Sequence, residues 1–368
     1  MGVENLYCCI NCFEDEIIIN YFHQEGHCGD CDYCGEADTQ IVPIRELYDV
    51  YFQNLYSYYQ ETQHGEHYIY QIHDNPSDFG DSLYNLVQED WGIFPDGSGE
   101  PLLYEIMNYG RDYEIEGNID ESVLFSRASD AFSYIDGSYL WDSLSNSLIK
   151  ENRFFPKKDL DYYYSTDTLL GEIENLIKKY VVNINEQTEI FRARVGHFTD
   201  YKELQAPPFE RILKGGRANP VGISVLYCAF SVETAISEVR PWKGAEVTVA
   251  KIKNKEKLNL IDLSKIDPII SPFQFKNIMS EVSSRNLLLI LQQMLSRPIN
   301  PNKSEIEYIP SQFLTEFIKS LKYDGLIFKS SLGKSNNLVI FDQLKTVIKQ
   351  LDYFVVSNIE CSFEKRLY

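Results

Sequence analysis

The stretch that most constrains the fold runs from Gly216 to Pro241. Its first five residues, Gly-Arg-Ala-Asn-Pro, are typical of a turn. Residues 224–230 form a short apolar run with β-branched and aromatic members, which predicts a buried strand. Ser231 can cap a following helix, which must end near Val239 because Pro241 cannot continue it. The sequence therefore predicts a turn, a strand and a short helix in succession.

Glu238 is placed against local preference in this helix. It comes at the C-terminal end, where the helix dipole is negative and a carboxylate gains nothing. Glu233, in contrast, lies in the first turn, where the dipole favours a negative charge. A residue placed against its local preference indicates a functional role, so Glu238 is the first candidate for chemistry.

The charge of the chain is unevenly distributed. The net charge is −21, and residues 1–185 hold 9 Lys and Arg against 35 Asp and Glu, whereas the remainder holds 25 against 20. Because phosphate contacts need Lys and Arg, the acidic first half argues against nucleic acid as a partner there. The mildly basic second half can bind an anionic ligand.

Length and hydropathy limit the classes of protein to which the chain can belong. A chain of 368 residues fits two or three domains and can bury a core without disulfides. It has no apolar stretch near the roughly 20 residues that span a bilayer, and no basic-then-apolar leader. We therefore expect a soluble, cytoplasmic protein without a membrane partner.

Cysteines are concentrated at the N-terminus. Four of them form two CxxC pairs, Cys9 with Cys12 and Cys31 with Cys34, and 18 residues separate the pairs. Two such pairs can present four thiolates tetrahedrally, which predicts a zinc site. Four thiolates leave no open coordination position, so the zinc is expected to be structural.

Alternative ligands exist for this zinc site. Cys28 could replace one member of the second pair, because residues 28–31 are also CxxC. His23 and His27 are further donors nearby.

Hydrophobic periodicity divides the rest of the chain into a helical and a mixed region. In the first, the spacing favours helices over residues 44–60, 81–93, 102–109, 122–148 and 168–181, the last capped by Asp167. Beyond residue 186, strands and helices alternate: strands over 189–195, 245–251, 258–263, 326–329 and 337–341, helices over 273–295 and 310–321. The fold class is therefore α+β, and the domains are predicted as 1–40 (zinc-binding), 41–185 (helical) and 186–368 (catalytic).

Three motifs carry a family resemblance. They are IFRARVG at residues 190–196, GRANP at 216–220 and LYCAFSVETAISEVRP at 226–241. Together they resemble the RES family, over roughly residues 186–345. The resemblance implies a mixed sheet like that of ADP-ribosyltransferases and an NAD-consuming toxin activity. In many family members a Trp stands at the position of Ala218, so the pocket wall is expected to differ here.

The resemblance also implies site residues. Arg192 would bind phosphate or pyrophosphate, Tyr227 would stack in the NAD pocket, and Glu238 matches the family Glu. Ser330 matches the family Ser, with the adjacent Ser331 as the alternative. Three further residues are expected to contact the ligand: Arg194, Arg217 and Asn219.

These residue types suit cleavage of the nicotinamide–ribose bond. The leaving group becomes a neutral pyridine, so the reaction needs placement and stabilisation of an oxocarbenium-like ribose more than acid–base help. A carboxylate supplies that stabilisation, and Arg anchors a pyrophosphate in a bidentate manner that Lys does not.

The N-terminal half also invites comparison. A zinc-bearing helical region before a RES domain resembles arrangements grouped with HEPN-like domains. HEPN ribonucleases need Arg and His four to six residues apart on a helix. No Arg of the helical region is followed by a His at that spacing. Arg192 and His197 match this spacing, but they belong to a predicted strand, so we expect no ribonuclease site.

The sequence therefore predicts an NAD phosphorylase or glycohydrolase that transfers ADP-ribose to phosphate or water, as a toxin or defence effector. The alternatives are an ADP-ribosyltransferase acting on a macromolecule and a non-enzymatic zinc and helical adaptor. RES toxins are usually paired with an antitoxin, so an antitoxin or regulatory protein is an expected partner, alongside a homo-oligomer. The acidic half is expected to regulate the basic half.

Overall fold

The computed structural model describes residues 6–62, 80–95, 99–111, 117–127, 137–162, 164–266, 271–297 and 303–359. The chain divides into two compact units. The first comprises Met1–Asp136 with Pro268–Arg285, and the second comprises Gly137–Asp267 with Asn286–Tyr368. The three predicted domains stay a prediction.

The first unit begins with a small antiparallel sheet that carries the cysteines. Its strands are β1 (Tyr7–Cys9), β2 (His27–Gly29) and β3 (Thr39–Pro43), in the order β1-β3-β2. Helix α1 (Glu16–Glu25) lies between β1 and β2 in the chain, and the Asp15 carboxylate caps it by accepting from two backbone N–H groups.

The remainder of the first unit is less helical than predicted. Its helices are α2 (Ile44–Val50), α3 (Leu83–Trp91) and α4 (Glu100–Asn108). A second antiparallel sheet, not predicted from the sequence, is formed by β4 (Tyr59–Glu61), β5 (Asp81–Ser82) and β6 (Leu124–Arg127) in the order β4-β6-β5.

The helix predicted over residues 44–60 ends at Val50. A 3₁₀ helix, Phe52–Ser57, follows it. Phe52, Leu55 and Tyr58 are all buried, and their spacing of three residues matches the 3₁₀ repeat rather than the α-helical one. The apolar periodicity of residues 44–60 thus predicted a helical segment correctly, but the helix changes from α to 3₁₀ within it.

Two other predicted helices need correction. In the segment 122–148, the start is strand β6 and the end is helix α5 (Gly137–Lys150), while residues 128–136 lie outside the described residues. The helix predicted from residue 168 is α6 (Thr166–Ile177). Ser165 caps it by accepting from Thr168 N–H, and Asp167 lies inside the first turn.

A mixed eight-stranded sheet forms the centre of the second unit. Its strands are β7 (Val181–Ile184), β8 (Glu189–Val195), β9 (Leu226–Ala229), β10 (Glu246–Asn254), β11 (Leu258–Asp262), β12 (Gly325–Lys329), β13 (Asn336–Ile340) and β14 (Thr346–Val355). Their order is β14-β10-β8-β9-β13-β12-β11-β7. The β11–β12 pair is parallel, and the other neighbours are antiparallel.

Helices flank this sheet in the chain. They are α7 (Val232–Glu238), α8 (Ile278–Ser296), α9 (Ser304–Glu307) and α10 (Ile309–Ser320). Ser231 caps α7 by accepting from Thr234 N–H, as the sequence predicted. The α+β fold class with a mixed sheet is confirmed.

Strand β14, at one edge of the sheet, was missed by the sequence analysis, which ended its strands at residue 341. Its pairing with β10 shifts register between Lys251 and Ile252. Such a bulge interrupts the alternation of inward and outward side chains, which is the signal by which strands are recognised.

Within the described part of the chain, no helix is long and apolar enough to cross a membrane.

Candidate functional site

Four central strands (β8, β9, β12 and β13) and residues of helices α7 and α8 line a pocket of about 260 Å³ in the second unit. Strand register brings its parts together, since Ala229 of β9 lies opposite both Phe191 of β8 and Asn337 of β13. The polar residues of the lining are Arg192, Arg217, Tyr227, Glu238, Ser296, Tyr308, Lys329, Ser331 and Asn337.

Glu238 is the last residue of α7, and two partners hold its side chain. Its Oε1 accepts hydrogen bonds from the Ser330 hydroxyl at 2.6 Å and from Asn337 Nδ2 at 2.7 Å. Helix α7 ends here because Arg240 adopts a φ of 46° and Pro241 follows it. The carboxylate is therefore fixed in position although the residue is exposed.

Ser330 follows β12 directly and has a defined hydrogen-bond polarity. Its Oγ accepts from the backbone N–H groups of Leu332 at 3.1 Å and Gly333 at 2.9 Å. The single hydroxyl proton is then available for Glu238. The neighbouring Ser331 is exposed and lines the pocket, so the two serines occupy different places in the site.

Arg192 is a half-buried cation that pairs with no carboxylate of the described residues. Its Nη1 donates to the Tyr227 backbone carbonyl at 3.1 Å, whereas its Nε is buried and has no partner among the described residues. Burial lowers the pKa of the guanidinium from its usual value, yet an arginine remains charged. Burying a charge without an opposite charge is costly, so this arrangement is typical of a site for an anion.

Tyr227 fixes the loop that carries Arg217. Its hydroxyl donates to Asn219 Oδ1 at 2.7 Å and accepts from Ala218 N–H at 3.0 Å. A Cβ at Gly216 would lie 2.4 Å from this hydroxyl oxygen, so the close approach requires glycine. Burial raises the pKa of the Tyr227 hydroxyl, which therefore stays neutral.

Arg217 lines the pocket from this loop. Its guanidinium donates to the Arg297 backbone carbonyl and lies over the Tyr308 ring, 5.5 Å from the ring centroid. Ala218 is fully buried.

Two predicted ligand contacts do not line the pocket. Arg194 shares a strand face with Arg192, but its guanidinium pairs with the Glu203 carboxylate and lies 4.3 Å from the centroid of the Phe198 ring. Asn219 is 5% exposed, and its amide is used by Tyr227 and by the carbonyls of Pro220 and Ile223. These local interactions hold both side chains away from the pocket.

Asn337 is a site residue that the sequence did not indicate. It is 8% exposed, lines the pocket and donates to Glu238. A polar residue at the start of an apolar strand was the available signal, but its partner, Glu238, lies 99 residues away.

The four predicted zinc ligands form a separate cluster in the first unit. The sulfur–sulfur distances are 3.7 Å for Cys9–Cys12, 3.4 Å for Cys9–Cys34 and 3.7 Å for Cys12–Cys31. A tetrahedral ion with metal–sulfur bonds of about 2.3 Å requires separations of about 3.8 Å, so the group fits a metal ion. The exposed Cys28 is not in this group.

The second cysteine pair has the backbone of a metal-binding turn. Cys34 N–H points at Cys31 Sγ at 3.4 Å, and Gly35 adopts a φ of 74° while its N–H bonds to the Cys31 carbonyl. The glycine allows this left-handed turn without strain.

His197 gives no support for a ribonuclease pair with Arg192. Its ring stacks on Tyr353 with 4.5 Å between centroids.

Comparison with protein families identifies the second half of the chain. Residues 189–359 match the RES domain. This RES domain contains Arg192, Tyr227, Glu238 and Ser330, and the predicted family resemblance is confirmed over these residues. The N-terminal HEPN-like assignment stays a prediction.

The chain is similar to a chain in the crystal structure of the M. tuberculosis MbcT–MbcA toxin–antitoxin complex, with 14% identity and a TM-score of 0.32. The similarity covers 50% of this chain and 93% of that chain. No curated protein sequence matches.

Proposed function

We propose that this chain is an enzyme that cleaves the nicotinamide–ribose bond of NAD and transfers ADP-ribose to phosphate or water. The observation that carries the proposal is the Arg192 guanidinium, which has no ion-pair partner in the described residues and shares a pocket with Glu238. NAD supplies an anionic pyrophosphate for Arg192 and a ribose for Glu238.

Each residue has a role that follows from its contacts. Arg192 binds the pyrophosphate through the donor that the chain leaves unused. Tyr227, whose hydroxyl is engaged elsewhere, offers its ring to the nicotinamide. The Glu238 carboxylate hydrogen-bonds the ribose 2′-hydroxyl and stabilises the positive charge that develops on the ribose.

The reaction needs no acid for its leaving group. The C1′–N bond breaks and its electron pair neutralises the pyridinium nitrogen of nicotinamide. A phosphate or water oxygen then bonds to C1′, and a water nucleophile gives up a proton to solvent. Ser330 acts in this scheme by orienting Glu238, with no covalent role, because its proton is directed at that carboxylate.

The test is to incubate the purified protein with NAD and follow nicotinamide and the ADP-ribose product, with and without phosphate. Release that depends on phosphate and yields a phosphorylated ADP-ribose supports phosphorolysis, and release without phosphate supports hydrolysis. Labelled ADP-ribose on a macromolecule would favour the transferase alternative. Absence of nicotinamide release under all conditions would overturn the proposal.

We also propose that Cys9, Cys12, Cys31 and Cys34 hold a structural zinc ion. The sulfur separations and the closed four-thiolate set support this choice. An activity that depletes NAD fits a toxin or defence effector, and an antitoxin or other regulatory protein is the proposed partner.

A further inference from the structure

The Asn337 amide lines the pocket beside the Glu238 carboxylate, to which it is hydrogen-bonded. It is 8% exposed and stands at the start of strand β13. Its Nδ2 donates to Glu238 Oε1 at 2.7 Å, whereas its Oδ1 is buried and accepts no hydrogen bond from the described residues. A buried acceptor without a donor is destabilising, so such an atom calls for an explanation.

The orientation of this amide is dictated by chemistry. A carboxylate that accepts from Ser330 can accept again on the same oxygen but cannot donate. Turning the amide over would place Oδ1 against Glu238 Oε1, two acceptors facing each other. Oδ1 is therefore the atom that remains for a ligand.

The two carboxylate oxygens of Glu238 also differ in their hydrogen bonds. Both donors, the Ser330 hydroxyl and Asn337 Nδ2, contact Oε1. No hydrogen bond from the described residues to Oε2 is present. The pocket thus has two acceptors, Oε2 of Glu238 and Oδ1 of Asn337, on two side chains that the Nδ2–Oε1 hydrogen bond joins.

Two acceptors on side chains that are hydrogen-bonded to each other suit a ligand with two donors on adjacent atoms. The 2′- and 3′-hydroxyls of a ribose form a cis-diol and present two O–H donors side by side. We infer that Asn337 is a positioning and substrate-binding residue, whose Nδ2 holds Glu238 and whose Oδ1 accepts a hydrogen bond from the ribose hydroxyl next to the one that Glu238 binds. The ligand half of this inference, the contact between Oδ1 and a ribose hydroxyl, rests on the proposed function. The protein half, the contact between Asn337 and Glu238, does not.

The protein half is tested by stability against pH. In Asn337→Asp two carboxyl groups face each other, so one of them has a raised pKa and must be protonated for the contact to survive. The melting temperature of this variant, relative to wild type, is expected to fall as the pH rises from 5 to 8. Asn183→Asp, on an exposed residue of edge strand β7, is expected to show no such slope.

A double variant keeps this test decisive if Asn337→Asp fails to fold at high pH. In Glu238→Gln with Asn337→Asp, donor and acceptor are exchanged and the contact can re-form. We expect the double variant to recover stability at pH 8 and to lose the pH slope. A flat profile in the single variant, or no recovery in the double one, would overturn the assigned contact.

The ligand half is tested by calorimetric titration of the full chain with ADP-ribose and with nicotinamide. Asn337→Leu removes the acceptor, and the dissociation constant for ADP-ribose is expected to rise about 5- to 100-fold, from the cost of a lost hydrogen bond. The constant for nicotinamide is expected to change less than twofold. Weakened nicotinamide binding with unchanged ADP-ribose binding would assign Oδ1 to the carboxamide instead.

The outcomes separate this inference from the proposed function. A wild type that binds ADP-ribose but releases no nicotinamide from NAD would overturn the proposed reaction and leave the assignment of Asn337 to be decided by Asn337→Leu. A wild type that cleaves NAD while Asn337→Leu keeps full affinity for ADP-ribose would overturn the ligand half of the inference alone.

Discussion

The cysteine cluster and the RES-domain pocket are assembled in opposite ways. The four thiols lie close together, and every one has another thiol as its neighbour. The pocket instead contains groups that the described chain does not complete, among them Arg192 Nε and Asn337 Oδ1. A closed set of like ligands is typical of a structural site, and a set of incomplete polar groups is typical of a binding site.

The difference shows what each site needs in order to work. A structural metal must be held by ligands that the chain supplies in full. A substrate site must keep donors and acceptors ready, so it carries a cost in the free protein that the ligand removes. The contrast can be tested by removing groups from either site and comparing stability with activity.

Removing the proposed metal should give the largest loss of stability. Structural zinc sites carry on the order of 10 kcal/mol of apparent binding free energy at pH 7, so Cys12→Ala should abolish metal binding and melt the first unit early. Metal analysis and thermal unfolding with and without a chelator check this result. The matched control is Cys28→Ala, since that exposed cysteine stands outside the cluster. Full metal content in Cys12→Ala would break the comparison.

Glu238→Gln should do the reverse, with a large loss of activity and little change in stability. The amide keeps the size of the side chain but not its negative charge, so nicotinamide release from NAD should fall about 10²- to 10³-fold, as for other electrostatic groups in active sites. Glu233→Gln, on the same helix, is the control. Equal activity in the two variants would remove Glu238 from the proposed mechanism.

The same contrast explains how much the sequence could predict. The cysteine cluster followed from spacing, because two CxxC pairs carry their own geometry. The positions of Arg192, Tyr227 and Glu238 in one pocket followed from family motifs. What the sequence could not provide was which atoms meet. The Glu238–Asn337 contact spans 99 residues and joins the end of helix α7 to strand β13.

Side chains on one strand face illustrate the same limit. Alternation along β8 correctly places Arg192 and Arg194 on the same side. The salt bridge to Glu203 then takes Arg194 out of the pocket, and that carboxylate belongs to a 3₁₀ turn whose position no local pattern specifies.

Arg192→Met separates activity from stability most sharply. The variant removes a charge that pairs with no opposite charge of the described residues, so the melting temperature should stay equal or rise, as when buried charges are replaced by apolar groups. Nicotinamide release should fall about 10²-fold because the pyrophosphate loses its anchor. Thermal unfolding and NAD turnover on the same samples check both parts.

Arg194→Met is the matched variant for that test. Its half-exposed salt bridge is worth at most about 1 kcal/mol, so it should lose a little stability and keep its activity. The reverse pattern, with activity lost in Arg194→Met and kept in Arg192→Met, would exchange the roles of the two arginines.

Tyr227→Phe should lower activity less than Glu238→Gln or Arg192→Met, and it tests whether the loop at residues 216–220 must be held for the pocket to work. The change keeps the ring but removes the hydroxyl that joins Asn219 Oδ1 and Ala218 N–H, at a cost of about 1–3 kcal/mol for the unpaired groups. Because the ring remains available to nicotinamide, KM for NAD should rise several-fold through the loosened loop while kcat changes less. Steady-state kinetics of nicotinamide release measure the two constants separately. A loss confined to kcat would instead mean that the hydroxyl itself acts on the reacting ribose, and it would place Tyr227 beside Glu238 in the chemistry rather than in the support of the pocket.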